Sequence, residues 1–363
     1  MLFTCYLGGD DVTIRDDVMA VLKGEVPERI PWLIYANLLP RGFIERKLRE
    51  MGLGLAIGCS VYRIIRHNVT IEERIEGDYL YRIYRTPIGS SYEKYRVGLK
   101  RGTGDSWRVE YLIKSDKDYD IVEFIIEDME YEPYYDEFLM IERDLGEDGV
   151  VFAWGDYTPL MKIIIELMGF RKFAIEIYRN PERIKELMKL IDEKERELYG
   201  IIAESPAEIV KVGDNIDSML VSPEHFKEYC VPYYNAYAGI LHGKGKIVMS
   251  HMDGRLRVLK DLIAQTKLDV IEAFTPPPMG DLTITEAKMA WKGKIIWINF
   301  PESTFVYEDK RLMEFTKELL REIAPGDGFI LGITEDPPPE HFWRAMMVIT
   351  RTLYRYGRYP IRL

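Results

Sequence analysis

Gly245-Lys-Ile-Val-Met-Ser-His-Met-Asp-Gly254 is the stretch on which the fold turns, and it also carries the chemistry. Its apolar first half reads as a strand buried on both faces, since it runs on without a polar alternation. His251 and Asp253 stand two residues apart, so on an extended backbone they point to one side. At the tip of a strand both can meet one ligand. The alternative is a histidine satisfied by its own neighbouring aspartate. Seven further runs of the same kind flank this one: Arg29–Ala36, Gly54–Tyr62, Val150–Asp156, Glu208–Asp214, Asp269–Thr275, Lys294–Phe300 and Gly328–Thr334.

Helical patterns fall between most of these runs. Pro181–Gly200 begins with Asn180 as N-cap and proline at the first helical position. Pro223–Leu241 begins the same way after Ser222, and Arg255–Thr266, Thr285–Lys292, Tyr307–Ile323 and Pro339–Tyr356 follow. Strand then helix, repeated, predicts parallel strands with right-handed crossovers, and eight strands predict a closed (β/α)8 TIM barrel. A first helix, Ile14–Lys23, is expected to cover the bottom of that barrel. The rhythm breaks between Asn68 and Lys114. Residues 69–85 alternate apolar and polar side chains around Gly77-Asp78, which reads as a hairpin. Thr86-Pro-Ile-Gly89 and Gly102-Thr-Gly104 add turn signals. Residues 69–114 are therefore a β-rich insertion after the second strand, inside a single barrel domain spanning 1–363.

Composition narrows the function. The 363 residues are 47% hydrophobic, enough for a large core, and no run approaches the roughly 20 apolar residues of a membrane span. The opening Met1–Asp10 lacks the basic and apolar regions of a signal peptide. A net charge of −11 argues against nucleic acid as a partner. Three scattered cysteines, Cys5, Cys59 and Cys230, fit a reducing cytoplasm and make no CxxC-type metal site. A single glutamine, Gln265, beside plentiful Lys, Arg and Glu leans toward a heat-adapted protein. No Walker loop, GxGxxG fingerprint, GxSxG elbow or HExxH helix is present.

In a barrel of this type, chemistry gathers at the C-terminal ends of the strands. Read in order, those ends carry Tyr35 and Asn37, then Cys59 and Tyr62, then Trp154, Asp156 and Tyr157. Asp214 and Asp217 come next, followed by His251 and Asp253, Glu272, Asn299, and finally Glu335 and Asp336. Clustered carboxylates shift each other's pKa or share a cation. Asp214 and Asp217 are expected to orient substrate or move a proton, with turn capping as the alternative. Tyr35, Trp154 and Tyr157 can wall a flat or methylated ligand, with rim packing as the alternative.

Several segments, in order, resemble the uroporphyrinogen decarboxylase-like superfamily. Arg15–Pro31 resembles its opening helix and the entry into the first strand. Thr86-Pro-Ile-Gly89 resembles a turn of its methyltransferase-like branch, and Val221–Tyr233 resembles its SPE-containing helix. His251-Met-Asp-Gly254 resembles its His-x-Cys/Asp-Gly strand end. Phe329-Ile-Leu-Gly332 with Pro337-Pro-Pro-Glu340 resembles its last strand and helix. The resemblance implies a (β/α)8 barrel and one of two activities. True uroporphyrinogen decarboxylases use arginines and an aspartate on a polycarboxylate. Here only Arg41 can stand in for those arginines, and no acid follows the second strand at Cys59-Ser60. A mouth bearing Asp156, Asp214, Asp253, Glu272 and Glu335, if ionised and unpaired, would repel a polyanion.

The methylcobalamin:coenzyme M methyltransferase branch is more similar at these positions. There a zinc ion sits on a His-x-Cys pair, a glutamate and a last-strand cysteine. The matching positions are His251, Asp253, Glu272 and Glu335, with carboxylates at both thiolate places. Such a set is harder than the family's, so zinc, manganese or iron would suit it. The resemblance implies methyl transfer between a corrinoid, carried by a separate partner protein, and a small acceptor. It also implies a homodimer. A decarboxylase and a non-catalytic ligand-binding barrel are the rival readings.

Overall fold

All eight runs form strands in a computed structural model of the protein, which describes residues 12–98 and 106–363. They are β1 (Trp32–Tyr35), β2 (Leu53–Cys59), β3 (Gly149–Trp154), β4 (Ile209–Val212), β5 (Ile247–His251), β6 (Val270–Phe274), β7 (Ile295–Asn299) and β8 (Phe329–Ile333). They close a parallel barrel in the order β1-β8-β7-β6-β5-β4-β3-β2. Every residue of β4, β6, β7 and β8 is buried, as continuous apolar runs require. Two compact units are distinguished: Met1–Gly58 with Met140–Phe152 and Asp269–Leu363, and Cys59–Leu139 with Ala153–Leu268.

In the first unit, β1 pairs with β8 through Trp32 and Leu331 and with β2 through Trp32 and Leu53. The helix Ile14–Leu22 starts at a capping box built on Thr13 and Asp16. A Cβ at Gly54 would collide with Ile14 and Leu33, so this helix covers the N-terminal end of β2 as expected. Gly332 makes room for an indole, since a Cβ there would lie 2.6 Å from Trp297 Nε1. β6 carries an irregularity that periodicity does not predict. It pairs with β7 through Val270–Ile295 and Ile271–Ile296, then through Phe274–Ile298. One extra residue is taken up on β6, and Ala273 adopts φ 60 there. This bulge lies directly after Glu272.

In the second unit, β4 pairs with β5 through Ile209–Ile247 to Val212–Ser250, and with β3 through Val210–Ala153 and Lys211–Trp154. The predicted hairpin is present. Thr70–Glu76 and Tyr79–Thr86 meet across Gly77-Asp78, and Gly89–Arg96 and Trp107–Glu110 extend the sheet to four strands. The excursion between β2 and β3 is longer than 69–114. It also holds an antiparallel pair, Tyr62–Arg66 with Met129–Pro133, and the helices Asp116–Glu127 and Asp136–Leu145.

Two helices differ from expectation. The predicted Pro223–Leu241 splits into Pro223–Tyr229 and Val231–His242. Pro232 has no N–H to continue the ladder. Arg255–Thr266 is helical only over Lys260–Ile263. Cys5, the Met1–Asp10 segment and the Gly102-Thr-Gly104 turn signal lie outside the described residues. Among the described residues, no helix is long and apolar enough to cross a membrane.

Gly149 begins β3 against β2: a Cβ there would run into the carbonyl of Leu55. Gly149→Ala is expected to lower the unfolding free energy by about 1–3 kcal/mol, the usual cost of overpacking. Denaturant unfolding checks this, and an unchanged midpoint would show that the backbone yields freely.

Candidate active site

His251 is the last residue of β5 and is 7% exposed. Its Nε2 lies 3.8 Å from Asp253 Oδ1, too far for a hydrogen bond but on the same side, as the i, i+2 spacing requires. Gly254 lets the chain turn tightly after this pair. A Cβ on it would collide with Asp217, and its N–H donates to the Ile216 carbonyl at 3.1 Å. Glu272 lies on β6. It is fully buried and accepts a hydrogen bond from the Tyr35 hydroxyl at 2.5 Å.

The other ring nitrogen of His251 meets a residue that sequence reading passed over. Lys211 Nζ lies 3.1 Å from His251 Nδ1 and 5.1 Å from the centre of the Trp154 ring. The register explains this. Lys211 is opposite Met249, and His251 is two residues further along β5, hence on the same face. Lys211 is also opposite Trp154 on β3. Nδ1 thus faces the Lys211 amine, and Nε2 faces Asp253. The signal was available: a lone lysine, 3% exposed, inside the apolar run Ile209-Val-Lys-Val212.

The carboxylates of the strand ends are not five free negative charges. Asp156 forms an ion pair with Lys162, and Lys162 also contacts Glu195 at 2.8 Å. Burial would strip the proton from Lys162, but Asp156 and Glu195 outweigh it and hold the amine protonated. Asp214 is 1% exposed and accepts from the Thr158 N–H at 2.9 Å, the Thr158 hydroxyl at 2.8 Å and the Tyr234 hydroxyl. Burial outweighs these donors and raises its pKa to about 7. Repulsion of an anionic ligand is therefore weaker than the sequence implies, because Asp156 is paired and Asp214 is half protonated near neutrality.

The remaining expected contacts fall in different settings. Asp217 Oδ1 accepts the Met219 N–H at 2.8 Å, the turn-capping role. Asn299 is fully buried. Its amide donates to Thr275 Oγ1 and Glu302 Oε2, both at 3.2 Å, and accepts from Thr334 N at 3.0 Å. Asn37 is exposed on a 3-10 turn after β1, and Arg41 pairs with Glu45 at 3.4 Å on the next helix. Trp154 is 38% exposed, while burial pushes the Tyr157 hydroxyl up to about 12.

The family model for Uroporphyrinogen decarboxylase (URO-D) matches residues 151–356, more than half of the chain. No curated protein matches it in sequence. Among solved structures, a methyltransferase from Methanosarcina mazei superposes with a TM-score of 0.57 at 11% identity, over 95% of this chain and 99% of its own. At that identity the likeness shows the fold alone. A pneumococcal exo-β-D-N-acetylglucosaminidase reaches a TM-score of 0.40 at 11% identity, over 90% of this chain and 84% of its own. An endoglucanase from an uncultured bacterium also reaches 0.40, at 7% identity, over 94% of this chain and 97% of its own. Those two likenesses are too loose to carry an argument.

The folded-state pKa of Asp214, about 7, lies above the ordinary 3.8, so the folded protein holds a proton that the unfolded chain has lost. This group's contribution is fully present below about pH 4 and disappears as pH rises to about 7. Asp214→Asn is expected to flatten that part of the stability–pH curve, at some cost in hydrogen bonding. Unfolding midpoints measured from pH 4 to 8 check it; a slope identical in both proteins would show that Asp214 titrates elsewhere.

Proposed function

The chain belongs to the uroporphyrinogen decarboxylase family, and we propose that it is a metal-dependent enzyme moving a methyl group between a partner-borne corrinoid and a small acceptor. Residues 1–363 would act as one catalytic barrel. The observation that carries this reading is the placement of His251 and Asp253 on one side of the end of β5, donor atoms 3.8 Å apart, and the family resemblance adds Glu335 as a further ligand. Two ligands at about 2.1 Å from a tetrahedral cation stand about 3.4 Å apart, so the 3.8 Å between His251 Nε2 and Asp253 Oδ1 would close slightly on binding. Glu272, behind the β6 bulge, would be a fourth ligand once released from Tyr35. The imidazole and carboxylate donors fit zinc, manganese or iron. A cation so held lowers the pKa of a bound thiol or polarises an oxygen.

The chain's own residues have further work in this reading. Lys211 fixes the His251 ring through Nδ1. Trp154 and Tyr157 would supply flat walls for a methylated ligand. Asp214, with a pKa of about 7, could take or release a proton at neutral pH through the hydroxyls of Thr158 and Tyr234.

Lys211 also favours a second reading. A buried amine beside His251 is a partner for a substrate carboxylate, as a decarboxylase of this family would need.

Metal content and titration with zinc, manganese and iron salts test the first reading. About one equivalent is expected, with His251→Ala or Glu335→Gln weakening binding at least about tenfold. Lys211→Met should strengthen binding, because it removes a positive charge next to the site. Wild-type affinity in all three variants would sink the assignment. The loaded enzyme should demethylate methylcobalamin in the presence of a thiol, seen as loss of the methylcobalt absorbance. Carbon dioxide release from uroporphyrinogen without such demethylation would favour the decarboxylase.

A further inference from the structure

Within the unit formed by Cys59–Leu139 and Ala153–Leu268, the insertion and the segment after β3 enclose a cavity of about 250 Å³. None of His251, Asp253, Glu272 or Glu335 lines it. Much of its wall is apolar, with Ile64, Leu112, Val122, Ile125 and Leu167. Most of the charges on it are already matched. Arg108 faces Glu93 at 3.2 Å and donates to the carbonyls of Ile165 and Glu166 at 2.7 and 2.9 Å. Arg82 contacts Glu73 at 2.8 Å, and Lys162 lies between Asp156 and Glu195.

Arg66 is the exception. Its Nη2 meets only the Met129 thioether, at 3.7 Å, and its Nε is buried without a hydrogen-bond partner. Among the described residues it makes no ion pair. A guanidinium nitrogen withdrawn from water and left without an acceptor is costly, and such groups are usually completed by a ligand, ion or water. Glu166 lines the same cavity. Burial, reinforced by Asp156, raises its carboxyl above the usual range. Glu166 and Leu167 also belong to the π-helical turn Ile163–Leu167, a departure from α-geometry that often accompanies binding sites.

We propose that this cavity binds a small monocarboxylate with an apolar body, its carboxylate on Arg66 and its body against Leu112, Ile125 and Leu167. Carboxylate oxygens match the planar fork of a guanidinium. One negative charge suits the site better than two, since among the described lining residues Arg66 is the one cation not already matched by a carboxylate. The inference uses none of the proposed metal ligands and stands apart from the methyl-transfer reading.

Calorimetric titration of the full-length protein with sodium acetate, butyrate, hexanoate and phenylacetate tests it, with phenylacetamide as the uncharged control. Affinity should rise along the carboxylate series, and the amide should not bind. Arg66→Gln should weaken binding at least about tenfold. Leu112→Phe, which fills the cavity, should remove binding, whereas His251→Ala should leave it unchanged. The proposal is overturned if no carboxylate binds the wild type or if binding persists in Leu112→Phe. Loss of binding in His251→Ala would instead place the ligand beside His251, and would overturn it too. Should Arg66→Gln fail to fold, Leu112→Phe decides alone.

Discussion

Burying a charge requires a compensating partner, and Lys162 is where this chain meets that constraint most directly. Its amine sits between Asp156, just past β3, and Glu195, on the helix Pro181–Ala203. An isolated ammonium there would cost several kcal/mol, so the three groups are held together or not at all. The contact ties the C-terminal end of β3 to a helix distant in sequence. Tyr199 reinforces the same tie, donating its hydroxyl to the Asp156 carbonyl at 2.8 Å. The stretch that carries Trp154, Asp156 and Tyr157 is positioned by this pairing and not by strand hydrogen bonds alone.

The same constraint redistributes charge at the strand ends. A tally of acids portrays a mouth hostile to anions. In the folded protein Asp156 is neutralised by Lys162, Asp214 gains a proton near neutrality, and Glu272 accepts from Tyr35. Lys211 adds a buried amine beside His251. The electrostatic argument that separates a polycarboxylate substrate from a methyl-bearing one is therefore less one-sided than composition implies. The methyl-transfer proposal rests instead on His251 and Asp253, which face one side at the end of β5 with donor atoms 3.8 Å apart.

Much of the architecture was legible because it rests on local rules. Continuous apolar runs gave all eight barrel strands, and Gly77-Asp78 between alternating segments gave the hairpin. The errors have physical causes. Pro232 interrupts a helix whose apolar pattern runs on through it. The helices Asp116–Glu127 and Asp136–Leu145 follow the insertion sheet, where no strand-helix rhythm was available to reveal them. In the site, the i, i+2 placement of His251 and Asp253 was readable from strand periodicity. Lys211 was readable too, as a charge inside an apolar run, but only its register against Met249 shows which residue it meets.

The sequence by itself determined the strand-helix alternation, the closed parallel barrel it implies, and the placement of His, Asp and Glu at strand ends. These follow from periodicity and short-range backbone geometry. Only the tertiary structure decided which of those groups are charged, paired or able to share a ligand. Pairing of Asp156 with Lys162, donation by Thr158 and Tyr234 to Asp214, and the bulge after Glu272 all depend on residues far apart along the chain. Burial and distance set those outcomes, and neither is a property of a residue before the chain has folded.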